Sequence, residues 1–164
     1  MLIEAFKYKQ WADRRTLDAV AGINTSEFPA AMAFALQQLN HMVRVEELFR
    51  ARLAGEAAAH PSTNTETVPA LDELEQRLAA SNQWLARYVE NLTQQEREQA
   101  LSFQFVDGQY GRMTRLEMLF HLVNHGTYHR GAIGHALDLA NAARPADTYT
   151  VFIHALEPAR REPD

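Results

Sequence analysis

The sequence contains no cysteine. That absence removes disulfides, thiolate nucleophiles, iron-sulfur clusters and cysteine-ligated zinc together, so any metal must sit on nitrogen and oxygen donors. Long apolar runs are also missing. No segment stays apolar for the ~20 residues that cross a bilayer, and Glu4, Lys7 and Lys9 interrupt the N-terminus where a secretory signal would carry its apolar stretch. We therefore expect a cytoplasmic protein with no membrane partner. Basic charge is scarce: 16 Lys and Arg against 21 Asp and Glu leave a formal charge of -5. Such a balance gives no electrostatic footprint for a phosphate backbone and argues against nucleic acid. Repeats and low-complexity segments are absent. What is present, 46% hydrophobic and 23% charged residues over 164 positions, suits one domain, residues 1–164, with a single buried core.

Leu2, Ile3, Phe6, Tyr8, Trp11, Leu17 and Val20 recur largely at three- and four-residue spacings, which predicts an amphipathic helix over 2–21. Gly22 suits its C-cap and Pro29 the first turn of a second helix, spanning about 30–53 and ending at Gly55. The polar stretch from Glu56 reads as a loop long enough for a crossover connection. A third helix follows over about 69–92, with Thr67 as its expected N-cap. LSFQF and QYGRM flank Asp107-Gly108, a favoured turn pair, and predict a small hairpin. Thr114-x-x-Glu117 is a capping box that opens a fourth long helix running to about Asn141. The tail after Ala142 holds a short apolar piece, TYTVFI, and a polar end, EPARREPD, expected to fray. The fold class is therefore all-α: a four-helix bundle with a small hairpin or irregular segment before the last long helix.

Of seven histidines, His121, His125 and His129 repeat every four residues on that last helix. Four residues advance a helix by one turn and about 40° of rotation, so neighbouring members can aim at one point. This is the spacing at which two imidazoles share a metal at ~2.0–2.1 Å. His125 shares a stripe with Met118, Leu122 and Ile133, and His129 with Leu122, Ile133 and Ala136, so both face inward. His121, beside Glu117, lies nearer the edge of the apolar face and is the weaker ligand. His135 is rotated away and too far along the axis. A third ligand comes from the second helix, where His41 lies on the stripe of Phe34, Val45 and Leu48. One divalent ion held by His41, His125 and His129 is the expected centre. A lone core histidine is more often hydrogen-bonded than metal-binding, and that reading disposes of His60 and His154 in loop and tail.

Other metal chemistries fit less well. A thermolysin-type site needs His-Glu-x-x-His, and Gly126 stands where that glutamate would be. No Glu-x-x-His occurs, which removes a ferritin-like di-iron centre. Arg130 reads as a salt-bridge partner packing helices. Tyr128 and Asn40 flank ligands and are candidates to orient a substrate. Trp11 and Trp84 read as core residues.

Asn124-His125-Gly126-Thr127-Tyr128-His129-Arg130-Gly131, preceded by Leu119 and His121, resembles the C-terminal helix signature of the DinB-like proteins. This is the damage-inducible four-helix-bundle family, unrelated to the translesion polymerase of the same name. Trp11-Ala12, Leu39-Asn40-His41, Arg52-Leu53-Ala54-Gly55 and Ala146-Asp147-Thr148-Tyr149 extend the likeness over nearly the whole chain. The resemblance implies that His41, His125 and His129 are the metal triad, that the ion is zinc or nickel, and that the bundle forms a homodimer. It also implies a low-molecular-weight thiol as a possible co-substrate, since some relatives are thiol transferases or isomerases. In one departure, Ala132 stands where the family often has Gln after His-Arg-Gly.

Three histidines leave a coordination position open, as catalytic rather than closed structural sites do. The reading that follows is a metal-dependent enzyme acting on a small-molecule substrate by thiol transfer or hydrolysis. The alternative is a non-catalytic, metal-binding stress-response module in which the ion ties two helices together.

Overall fold

The computed structural model describes residues 1–161. Its long helices are α1 (Leu2–Ala21), α2 (Pro29–Ala54), α3 (Leu71–Asn91) and α5 (Arg115–Leu139), with a short α4 (Gln94–Glu98) and a C-terminal α6 (Tyr149–Leu156). Strands β1 (Ala100–Gln104) and β2 (Tyr110–Thr114) form an antiparallel hairpin pairing Ala100 with Thr114 and Gln104 with Tyr110. Among the described residues, no helix is long and apolar enough to cross a membrane.

Local chemistry sets most of these boundaries. Gly55 closes α2 at φ 73, a left-handed conformation that costs a residue with a Cβ. Gly108 turns the hairpin at φ 87. Thr114 and Glu117 complete both halves of the capping box at the start of α5. Thr67 does not cap α3: the helix starts at Leu71, with Ala70 as an extended N-cap that offers no side-chain bond. Pro69 accounts for the shift, because it disfavours the helical region for Val68, while Val68 and Leu71 pack against the core. The TYTVFI piece forms α6, capped by the Thr148 hydroxyl and docked through buried Phe152 against Tyr8 and Trp11. Of the polar end expected to fray, residues 158–160 form a 3-10 turn and 162–164 lie outside the described residues.

The crossover is real. α1 packs on α3 and α5, and α2 packs on the same two, so α1 and α2 are diagonal. Leu39, Met42 and Val43 share one apolar cluster with Leu74 and Leu78, and Phe49 and Leu53 share the other with Leu85, Val89 and Leu92, which makes α2 and α3 parallel neighbours. The 55–70 loop therefore retraces α2: His60 bonds Glu47, Arg44 donates to the Ser62 carbonyl at 2.7 Å, and Asn40 donates to Thr65 Oγ1 at 2.8 Å.

The core has two apolar layers, one around Leu17, Leu39, Met42, Leu78 and Leu137, the other around Phe6, Phe49, Leu85, Met118 and Leu122. Between them lies a buried polar layer. Lys9 Nζ, fully buried, donates to Asp13 Oδ2 at 2.7 Å and Asn82 Oδ1 at 2.8 Å, and pairs with Glu46 Oε1 at 2.7 Å. Arg130 completes it, reaching Asp13 Oδ1 at 2.8 Å and Asp147 Oδ2 at 2.7 Å. Burying ions costs several kcal/mol each unless every charge is partnered, and here α1, α2, α3, α5 and the tail each supply a partner. Burial alone would discharge Lys9, but Asp13 and Glu46 hold its pKa above the ordinary lysine value. Burial likewise drives the Glu46 carboxyl upward, and Lys9 only partly offsets it.

Candidate metal centre

The histidines stand at the level of this polar layer, where α2 and α5 run antiparallel. His41 Nε2 and His125 Nε2 lie 3.1 Å apart. Two nitrogens sharing an ion at ~2.0–2.1 Å each would be separated by about this distance. The ring of His129 centres 4.7 Å from His41 and 4.3 Å from His125. One ring nitrogen from each of the three lies within 4.8 Å of the others, and no fourth His or carboxylate joins this group among the described residues. All three residues are partly exposed, so the group opens toward solvent.

Gln38, one turn before His41, was not anticipated. His129 Nδ1 donates to Gln38 Oε1 at 2.6 Å. An amide oxygen only accepts, so Nδ1 carries the proton and the Nε2 lone pair is left for a ligand. A polar residue on a partly buried stripe was the available signal.

Burial pushes the pKa of His125 down to about 3, with the neighbouring His129, His121 and His41 and the charge of Lys9 adding to it. Burial and then His41 lower His129 to about 4. Both imidazoles are neutral at neutral pH, the state a metal ligand requires.

The remaining candidates fall elsewhere. His121 stacks 4.8 Å from Phe49 and 5.2 Å from His125, one turn outside the triad. His135 is exposed beside Phe34 and Leu139, and His154 lies on α6. Tyr128 is largely exposed, edge-on to His129 at 5.1 Å. Asn40 is buried and pins the crossover loop instead of facing the histidines. Arg130 is committed to its two carboxylates, which joins the helix signature to Asp147 of the tail motif. Its guanidinium also explains Gly126, where a Cβ would lie 2.9 Å from Arg130 Nη1. Trp84, stacked on Tyr88 at 4.8 Å, and Trp11, under Arg15, sit at the edge of the core.

The donor set fits a borderline divalent ion: three partly exposed imidazoles, one fixed in tautomer by an amide. A helical bundle carrying a three-histidine group positioned for a metal is the class that fold and site define. The model of the DinB family matches residues 1–162, and the chain belongs to that family. Comparison with curated proteins gives no match, and none of the solved structures matches the chain.

Proposed function

We propose that this protein is a metal-dependent enzyme acting on a small molecule, with one divalent ion, zinc or nickel, held by His41, His125 and His129. The observation that carries the reading is the convergence of three imidazoles with no fourth protein donor in their group among the described residues. When bound, the ion supplies Lewis acidity, which lets a thiol or water shed its proton near neutral pH. The chain's own residues do the rest. Gln38 holds His129 in its ligating tautomer, burial keeps His125 unprotonated, and the Lys9–Arg130 layer fixes the spacing of α2 and α5 behind them. Thiol transfer or hydrolysis is the reaction type this arrangement serves.

A cytoplasmic location and a homodimer belong to the same reading, the homodimer supported by the exposed apolar side chains Phe34, Phe120 and Leu139 and measured by light scattering. The competing reading, an ion that only ties α2 to α5, is favoured by the position of the ligands at that interface. The two separate in one experiment. Metal-loaded wild type and His125→Ala are assayed for conjugation of low-molecular-weight thiols to electrophiles and for ester or amide hydrolysis, alongside melting temperature with and without chelator. Turnover lost in His125→Ala supports the enzyme. A drop in melting temperature on chelation with no turnover in wild type supports the structural ion.

A further inference from the structure

Arg52 is held in an unusual way. Its guanidinium carbon lies 4.7 Å from the ring centre of Phe49, 4.5 Å from Phe103 and 5.4 Å from Phe105, half-enclosed between α2 and the hairpin. Among the described residues no carboxylate pairs with it. Its one hydrogen bond is a long 3.4 Å contact from Nη2 to the Gln104 carbonyl. Three other arginines packed between helices have more partners: Arg130 with Asp13 and Asp147, Arg77 with Glu47 and Glu73, Arg115 with Tyr88 and the Leu53 carbonyl, whereas Arg44 has only the Ser62 carbonyl and Arg50 only the ring of Trp84. A guanidinium has five N–H donors in a fork shaped for a carboxylate, and Arg52 uses one of them. Burial without a counter-charge lowers its pKa from the ordinary arginine value, so the site favours an arriving anion.

The position is as telling as the partners. Arg52 follows His41 by eleven residues, which on an α-helix returns to within about 20° of the same face, about 16 Å further along. Helical side chains lean toward the N-terminus, and Arg52 leans back over Phe49, toward the histidines. His121 lies between, its ring 4.8 Å from Phe49 and 5.2 Å from His125. The charge of Arg52, after burial, helps depress the pKa of His121. A row of aromatic rings, His121 and then the buried Phe49, thus lies between the metal group and an uncompensated cation.

We propose that Arg52 receives a carboxylate or sulfonate at the far end of the small molecule whose reacting end reaches His41, His125 and His129. The inference rests on the metal-centre reading above and adds the substrate class: a thiol with an apolar middle and an anionic terminus on the order of 10 Å away, the axial separation less the reach of the arginine. A clamp role, with Arg52 only fastening the hairpin to α2 by cation-π contacts, accounts for the three rings and leaves the missing counter-charge and the idle donors unexplained.

The test titrates cobalt(II)-loaded full-length protein with thiols of two lengths and two charges, reading binding from the cobalt absorption bands. The probes are 3-mercaptopropionate, 8-mercaptooctanoate and their neutral alcohol counterparts, 3-mercaptopropanol and 8-mercaptooctanol. Wild type should bind the long anionic thiol about tenfold tighter than the long neutral one, a preference absent from the short pair, whose carboxylate cannot reach Arg52. Arg52→Gln should abolish that preference and leave affinity for the neutral thiols unchanged, Arg52→Lys should keep part of it, and Arg87→Gln, an exposed charge on α3, should keep all of it. Equal binding of the two long thiols by wild type overturns the proposal without needing any variant to fold. A preference that survives in Arg52→Gln also overturns it. If cobalt does not bind, the metal-centre reading itself fails; if it binds and no thiol perturbs its bands, the present proposal is overturned while the metal centre stands, and both differ from thiol binding without charge preference.

Discussion

Replacing Lys9 by methionine removes one cation from a layer in which every charge was partnered. The side chain has no exposed surface, so solvent cannot take over its role. Asp13 keeps Arg130 at 2.8 Å and Asn82 at 2.9 Å, but Glu46 keeps only the Ser81 hydroxyl at 2.6 Å. Removing one partner of a buried pair costs about 3–5 kcal/mol, because the other charge stays buried. Against a typical total of ~5–15 kcal/mol this is a large fraction, and for a domain of this length it corresponds to a fall in melting temperature of roughly 6–20 °C. The double variant Lys9→Met/Glu46→Leu removes both the cation and the carboxylate left without it, and should recover a substantial part of the loss. Urea unfolding followed by circular dichroism measures both proteins. A loss below about 1 kcal/mol for Lys9→Met, or strictly additive losses in the double variant, would refute the claim that this layer is held by mutual pairing.

Two further outcomes follow from the site. Gln38→Leu should leave the fold intact and weaken metal affinity by about 10–100-fold, since the amide that selects the His129 tautomer is gone; unchanged affinity by competition with a chromophoric chelator would remove Gln38 from the account. The metal-free protein should lose stability as pH falls. His125 at about 3 and His129 at about 4 lie below the ordinary value of 6.5, so the unfolded chain binds more protons in this window. Stability is then fully present above about pH 6.5 and declines toward pH 4, with a shallower decline in His125→Leu. Parallel slopes for wild type and variant would contradict this.

Much of the architecture was legible because periodicity and caps agreed. The Thr114 box and the Asp107-Gly108 turn rest on local spacing, and the shared stripes brought His41, His125 and His129 together, though at the partly exposed edge of the core. The losses have specific causes. Thr93-x-x-Glu96 is the same capping signature and does open a helix, yet α4 lasts five residues because Ala100 is claimed by the hairpin. TYTVFI is β-branched and aromatic, and becomes a helix through its Thr148 cap and the docking of Phe152. Lys9 and Glu46 escaped notice because periodicity assigns charge to the surface, and only the tertiary fold brings their partners to them. An opposite charge one turn away, Asp13 after Lys9, was the available hint. Gln38 and Arg52 carry no motif; their meaning comes from what surrounds them.

The most direct measurement is metal content by mass spectrometry on wild type and single histidine variants purified in parallel. One divalent ion per chain is expected in wild type and in His121→Ala, with the ion lost from His41→Ala, His125→Ala and His129→Ala while their circular dichroism still reports folded helix. A wild type without metal, or a His121→Ala protein that loses its ion while His41→Ala retains it, would contradict the three-histidine centre.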